Sequence, residues 1–202
     1  MKAPLLIVCG LMLASVFAFA GPRVGNGGGV WVCEESDGKI RWLEFVDLFE
    51  AENEFGLPMS TVTDKTPREI LQEKTNFARE ISPELGALIE AHPVDFEKVL
   101  RVLPDNADLT VIEDAMIRVK PHPNTCRDGY LYYGQLANFT FDGRLLVAGR
   151  FWRDPEFSKY EKGALLVHET IYHALREGRG DTNSSRTRQI VGLVFSNLGV
   201  DE

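Results

Sequence analysis

The stretch VWVCEESDGKIRWL, residues 30–43, places two apolar runs on either side of Ser36-Asp37-Gly38. An Asp-Gly pair between runs of alternating apolar and polar residues is typical of a tight β-hairpin turn. The stretch therefore predicts two antiparallel strands. A short helix near Val46 to Glu54 is expected to follow them.

The middle of the chain carries helix signals. Thr66-Pro67-Arg68-Glu69 gives a capping residue, a proline at the first helical position and a glutamate at the third. Ser82-Pro83-Glu84 predicts the start of a second helix, which Pro93 ends. The apolar spacing from Phe96 to Leu103 predicts a third helix, which stops before a further proline.

The last third of the chain predicts a second hairpin and two more helices. Residues 109–119 are ambiguous and are interpreted as one strand within irregular chain. The segments 130–141 and 144–148 flank an Asp-Gly pair, which indicates a hairpin. Apolar periodicity then predicts one helix over about 162–177 and a final helix that includes residues 190–198.

Together these elements predict an α+β fold in one domain, residues 30–202, in which about five helices pack on a small antiparallel sheet of hairpins. The chain has 202 residues, of which 44% are hydrophobic and 26% charged, so its composition is not that of a disordered protein. Its net charge of −8 argues against a nucleic-acid partner, because such a surface is basic.

The first 20 residues have the pattern of a signal peptide. Lys2 is followed by an apolar run from Leu5 to Ala20, which closes with Ala18-Phe19-Ala20. The run is shorter than the roughly 20 residues that a membrane span requires. Cleavage after Ala20 would leave an exported protein, periplasmic or extracellular, with no transmembrane segment. The glycine-rich residues 21–29 are interpreted as a flexible arm.

The predicted export determines the redox environment of the cysteines. Outside the leader only Cys33 and Cys126 occur. Two thiols in an oxidising compartment normally pair, so the sequence predicts a structural disulfide between them.

One segment could carry chemistry. The helix predicted over 162–177 contains His168-Glu169 and, five positions after the first histidine, His173. Zinc peptidases bind their metal with H-E-x-x-H, where the glutamate acts as general base. Here the spacing is H-E-x-x-x-H, with His168 and His173 as the candidate metal ligands and Glu169 as the candidate base.

The extra residue changes the geometry. On a regular helix, positions i and i+4 are separated by about 40° and positions i and i+5 by about 140°. The two histidines would share an ion only if a π-bulge realigned them. The competing interpretations are a buried His168 bonded within the core near Tyr172, and a metal-free acid–base role. Candidates for a third ligand are His92, His122, Glu177 and Asp181.

Two further groups of residues are candidates for binding. Arg186 and Arg188 follow a polar loop, residues 178–185, and would suit an anion at a helix start, although a well-capped helix looks the same. Seven aromatic residues could form a sugar-binding face or could pack under the helices. They are Tyr130, Tyr132, Tyr133, Phe139, Phe141, Phe151 and Trp152.

Several motifs of the chain together resemble a group of uncharacterised exported proteins of predatory and related bacteria. These motifs are Gly25-Asn26-Gly27-Gly28, Cys33, Cys126, Gln135-Leu136-Ala137, the Leu-x-x-His-Glu-x-x-Tyr segment at 165–172, and Asp181-Thr182-Asn183-Ser184. The resemblance extends over most of the chain after the leader. It implies secretion and a shared fold, and carries no assigned activity. In that group the His-Glu pair and the tyrosine recur more dependably than the second histidine, which directs attention to His168, Glu169 and Tyr172.

The sequence favours an exported, disulfide-stabilised protein with a binding or structural role toward an envelope or extracellular partner. The alternatives are a zinc-dependent hydrolase, peptidase-like, with His168 and Glu169, and a carbohydrate-binding module. Zinc is the one cofactor that the sequence suggests.

Overall fold

A computed structural model describes residues 28–59, 63–112, 117 and 119–196. The leader, residues 1–20, and residues 21–27 of the glycine-rich arm lie outside the described residues. The last two glycines of that arm lie inside the fold, because Gly28 is buried and Gly29 begins the first strand.

The described residues form six strands and seven helices, with one 3-10 turn at Pro123–Cys126. In chain order they are β1 (Gly29–Glu35), β2 (Ile40–Phe45), α1 (Val46–Asn53), α2 (Pro67–Ile81), α3 (Pro83–Ala91), α4 (Phe96–Val99), β3 (Leu100–Val102), β4 (Gly129–Gln135), β5 (Ala137–Phe139), β6 (Leu145–Val147), α5 (Gly149–Trp152), α6 (Lys159–Arg179) and α7 (Ser185–Phe195).

The first predicted hairpin is confirmed. Strands β1 and β2 pair antiparallel, with Val30 opposite Phe45. Gly38 has φ of +86°, a left-handed conformation that favours glycine in the turn. Strand β4 pairs antiparallel with the other edge of β1, which gives a three-stranded sheet in the order β2-β1-β4.

The predicted disulfide is present between Cys33 of β1 and Cys126 of the 3-10 turn. The two cysteines are 93 residues apart in sequence. On the chain-entropy account, a loop of this length contributes between about 4 and 5 kcal/mol to stability. The bridge fixes the chain that precedes β4 to the central strand of the sheet.

A second small sheet has the order β3-β6-β5. Strands β5 and β6 form a shorter version of the second predicted hairpin, with Gly143 at φ of +76° in its turn. Most of the predicted first arm, residues 130–135, belongs instead to β4 and pairs with β1. Strand β3 pairs parallel to β6. The sheet is therefore mixed, and the described residues form two sheets rather than the one predicted.

The helix predicted from Phe96 to Leu103 was wrong. Helix α4 ends after one turn, and Leu100–Val102 is a strand. Pro93 and Pro104 limit the length of any helix in this segment, and so short a helix is only marginally stable on its own. Leu100 and Val102 are partly buried while Arg101 is exposed, which is the alternation expected of a strand. This strand pairs with β6. The strand interpretation of residues 109–119 is not confirmed either, because none of its described residues belongs to a strand.

Helix α6 is the centre of the fold and is longer at both ends than predicted. Ser158 and Glu161 form a capping box at its start, and Gly180 ends it in a left-handed conformation with φ of +76°. Residues along most of its length are buried against both β2 and the helices α2, α3 and α7. The same helix carries the His-Glu motif, so that motif lies inside the protein.

The predicted α+β class and single domain are confirmed, although seven helices form within the described residues where about five were expected. One continuous hydrophobic core joins residues of both sheets and of the larger helices. A membrane-spanning helix is not found in the part of the chain that the structure describes.

Candidate functional site

The His-Glu motif belongs to a buried acid–base centre, which consists of Asp47, His168 and Glu169. The Nδ1 atom of His168 lies 2.6 Å from Oδ2 of Asp47. Both side chains are 1% exposed. Asp47 is in the first turn of α1, where the helix dipole favours a negative charge. The centre therefore joins α1 to α6 through a short polar contact in the core.

Glu169 is fully buried beside this pair. Its Oε1 accepts a hydrogen bond of 3.0 Å from the backbone N–H of Gly28. Its Oε2 has no hydrogen-bond partner among the described residues. Burial raises the pKa of Glu169 to about 7, although His168 and the Gly28 N–H both act to lower it. This carboxyl therefore keeps its proton to a higher pH than an exposed glutamate does.

Apolar groups surround the centre. The ring of Phe45 lies edge-on to the His168 imidazole, with 5.9 Å between ring centroids, and Tyr172 lies 6.2 Å away. A side chain at Gly28 would collide with Phe45 and Leu165. These contacts fit the interpretation of His168 as a core residue near Tyr172.

His173 does not join this centre. Helix α6 is α-helical throughout, and the His173 ring stacks on Phe139 with centroids 5.7 Å apart. Burial lowers the pKa of His173. Within residues 28–59, 63–112, 117 and 119–196, no three His, Cys, Asp or Glu side chains cluster as metal ligands. The geometry therefore gives no support to zinc binding by His168 and His173.

The two candidate arginines have different surroundings. Arg188 is buried and donates to Glu50 at 2.8 Å and to the Ser184 hydroxyl at 3.2 Å. Its charge is thus used in an ion pair between α7 and α1. Arg186 lies on the surface and pairs with Asp181 at 3.2 Å.

The seven aromatic candidates do not form one face. Phe139 and Phe151 are buried in the core. Tyr132 donates to Glu34, which also accepts from Arg150 at 2.6 Å. Large exposure is found at Tyr130 of β4 and at Phe141 in the β5–β6 turn, which are on different sheets. The alternative of a single aromatic face for a sugar is therefore not supported, whereas the burial of Phe139 and Phe151 agrees with the packing interpretation.

A groove lies on the outer face of the β2-β1-β4 sheet. Because side chains alternate along a strand, Val30 and Val32 enter the core while Trp31 lies on the opposite face. The groove has a volume of about 1150 Å³. It is lined by Trp31, Phe49, Asn53, Val111, Ile112, Ile117, Val119, Lys120, Pro121, His122, Pro123, Thr125, Leu131, Tyr132 and Tyr133.

Three aromatic rings build the floor of this groove. Trp31 packs edge-on against Tyr133 and Phe49, with centroid distances of 5.9 and 6.4 Å. Ile117 and Val119 pack against the same cluster from the chain that leads to Cys126. The disulfide holds that chain on the sheet, so the groove has a rigid floor and a tethered wall.

Trp31 in the floor of the groove also carries a buried polar atom without a partner in the described part of the chain. Trp31 is 5% exposed, and its Nε1–H has no acceptor among the described residues. A buried donor without a partner costs about 1–3 kcal/mol.

Sequence reasoning missed this groove and the acidic partners Asp47 and Glu50. The two acids were visible as charged residues inside the helix predicted after β2. Nothing local indicated their partners, His168 and Arg188, which lie far along the chain.

Comparison of the chain with protein-family models, with curated proteins and with solved structures finds no match in any of the three. The function is accordingly inferred from the geometry of the chain itself.

Proposed function

We propose that the protein is an exported, disulfide-stabilised binding protein that takes an apolar ligand into the groove on the outer face of its first sheet. The signal-peptide pattern of residues 1–20 supports export. The Cys33–Cys126 disulfide is compatible with an oxidising compartment.

The observation that carries the proposal is the groove itself, with its mostly apolar lining. Ligand pockets are mostly apolar, with a few polar groups that orient the ligand, and range over about 300–1000 Å³. The groove has this lining and is slightly larger.

In this proposal the buried acid–base centre has a structural role. Asp47 and Glu50 of α1 bind His168 of α6 and Arg188 of α7. These two contacts hold the three helices together behind the sheet. A hydrolase would need substrate access to Glu169, whose side chain is fully buried.

The test is binding of Nile red, a neutral apolar dye, to the chain from Gly21 to Glu202. We expect saturable binding with a rise in dye fluorescence. Val119→Asp places a charge in the wall of the groove and should weaken binding by about tenfold or more, the equivalent of about 1.4 kcal/mol.

Ile81→Asp is the matched control, because it makes the same kind of change at an exposed position of α2 outside the groove. Circular dichroism of both variants checks that the fold is retained. The proposal fails if the dye does not bind, or if folded Val119→Asp binds it as well as the wild type does.

A further inference from the structure

We propose that Asn183 is an acceptor site for an N-linked glycan. The site lies in the loop between α6 and α7, residues 180–184, together with the first residue of α7. These residues do not line the groove, so the inference is independent of ligand binding there. It shares with the proposed function only the expectation of export.

The motif is Asn183-Ser184-Ser185, which has the Asn-x-Ser/Thr form of an N-glycosylation acceptor. Such a motif can act only in an exported chain and at the protein surface. The signal-peptide pattern of residues 1–20 predicts export. In the bacterial form of the reaction, the acceptor also has an acidic residue two positions before the asparagine, and Asp181 occupies that position.

The acceptor side chain is accessible. Asn183 is exposed and belongs to no helix or strand. Its Oδ1 accepts a hydrogen bond of 3.1 Å from the backbone N–H of Ser185. That bond uses the oxygen of the carboxamide and leaves the Nδ2 atom, which would carry the sugar, available for reaction.

A polar hollow surrounds this side chain. Its volume is about 440 Å³, and it is lined by residues 180–183 and by Ser185, Arg186 and Gln189. Hydroxyl, amide and guanidinium groups are hydrogen-bond partners for the hydroxyl groups of a sugar. The first sugar of a glycan on Asn183 would therefore find polar contacts on the protein surface.

A second motif of the same form provides an internal comparison. It is Asn138-Phe139-Thr140, and Asn138 lies in β5 with 2% of its surface exposed. The Nδ2 atom of Asn138 donates to the backbone oxygen of Thr110 at 3.4 Å. Leu136 stands where the bacterial reaction requires an acid. Burial and sequence thus both exclude Asn138 as an acceptor in the folded protein.

The modification is a glycosyl transfer from a lipid-linked oligosaccharide pyrophosphate. The Nδ2 atom of Asn183 forms a bond to the anomeric carbon of the sugar, and the bond from that carbon to the pyrophosphate oxygen breaks. The lipid pyrophosphate leaves with the electron pair. The amide nitrogen gives one of its two protons to a base of the transferase, so the product is a neutral N-glycosyl amide.

The test combines the folded Gly21–Glu202 chain with a purified bacterial oligosaccharyltransferase and its lipid-linked oligosaccharide. We expect the intact mass to rise by the mass of one oligosaccharide. Trypsin then separates the two motifs, because Asn183 falls in the peptide 180–186 and Asn138 in the peptide 128–144. Mass spectrometry should find the glycan on the first peptide and not on the second.

Variants of the motif test which residues are required. Asn183→Gln moves the amide by one carbon and Ser185→Ala removes the hydroxyl, so each should abolish the transfer. Asp181→Ala should abolish it as well with the bacterial enzyme. Thr182→Ala is the matched control, since it changes an exposed residue of the same loop at a position that the motif leaves open, and it should be modified like the wild type. Circular dichroism checks that each variant is folded.

A synthetic peptide of residues 180–186 separates the motif from its setting in the fold. Transfer to Asn183 of the folded chain supports the proposal. Transfer to the peptide alone would show that the loop is not accessible in the protein, and transfer to neither would show that the motif is not an acceptor. Either result overturns the proposal, as does a glycan on Asn138 in place of Asn183. The outcome does not depend on whether Nile red binds.

Discussion

The Nδ1 atom of His168 lies 2.6 Å from Oδ2 of Asp47, and each side chain is 1% exposed. The two residues are 121 positions apart in the chain, so the contact closes a long loop. Helices α1 and α6 are joined through it inside the hydrophobic core. The first prediction follows from the cost of breaking such a pair.

Removing one member of the pair should destabilise the protein strongly. Either His168→Ala or Asp47→Ala leaves a buried polar or charged group without its partner, at a cost of about 3–5 kcal/mol. In a domain of this size that corresponds to a fall in Tm of roughly 6–20 °C. Thermal unfolding followed by circular dichroism measures it, with the exposed His122→Ala as control.

The double variant completes a thermodynamic cycle. Because the second substitution removes the group that the first left unpaired, the two losses should not add. Additive losses would show that the 2.6 Å contact contributes nothing to stability.

Glu169 should make stability depend on pH. Burial raises its pKa in the folded protein to about 7, from an ordinary value of 4.5. Between these two values the folded chain holds a proton that the unfolded chain has released. Stability from this group is therefore fully present below about pH 4.5 and is lost as pH rises toward 7, by up to about 3 kcal/mol.

Glu169→Gln isolates this contribution, because it keeps the shape and cannot ionise. Urea unfolding at pH 5 and pH 8 should show a smaller loss of stability in this variant than in the wild type. Glu44, whose pKa burial also raises to about 7, makes Glu44→Gln the necessary comparison. Equal pH dependence in wild type and Glu169→Gln would contradict the prediction.

The disulfide should contribute measurably to stability. Cys33→Ser with Cys126→Ser should lower the free energy of unfolding by about 2–5 kcal/mol. Mass spectrometry of the untreated protein should give a mass two hydrogens below that of the reduced chain. Detection of free thiols at both positions, by alkylation without reduction, would refute the pairing.

Export should leave a chain that begins at Gly21. When the full sequence is expressed in a bacterial host, N-terminal sequencing of the periplasmic or extracellular fraction should read Gly-Pro-Arg-Val. Replacing Ala18 and Ala20 with leucine should block processing, since cleavage needs small residues there. Recovery of the unprocessed wild-type chain from the cytoplasm would disprove export.

Zinc content tests the hydrolase alternative. The His168 and His173 rings contact Asp47 and Phe139 respectively, so we expect zinc well below one atom per chain after purification without a histidine tag. Near one zinc per chain, lost in His168→Ala, would instead support a metal-dependent enzyme.

The parts of the fold that could be predicted are those with local signals. The Asp-Gly turns fix both hairpins, because glycine is favoured at the left-handed positions of Gly38 and Gly143. The Thr66–Glu69 capping box marks the start of α2, which begins at the proline that follows Thr66. The disulfide could be predicted from the oxidising compartment and from the two cysteines that follow the leader.

The parts that could not be predicted depend on distant partners. Residues 100–102 form a strand only because β6 lies beside them. The role of the His168 imidazole depends on its contact with Asp47. The groove depends on the segment before Cys126, which the disulfide holds against β1. No periodicity within a single segment records such contacts.

The position of the Cys33–Cys126 bridge has a consequence for how the protein matures. Beyond the predicted leader the sequence contains no other cysteine, so an intramolecular bridge has a single possible connectivity. Oxidative folding of one molecule then needs an electron acceptor but no reshuffling of mispaired thiols. A host that lacks a disulfide isomerase but keeps its thiol oxidase should therefore produce the native bridge.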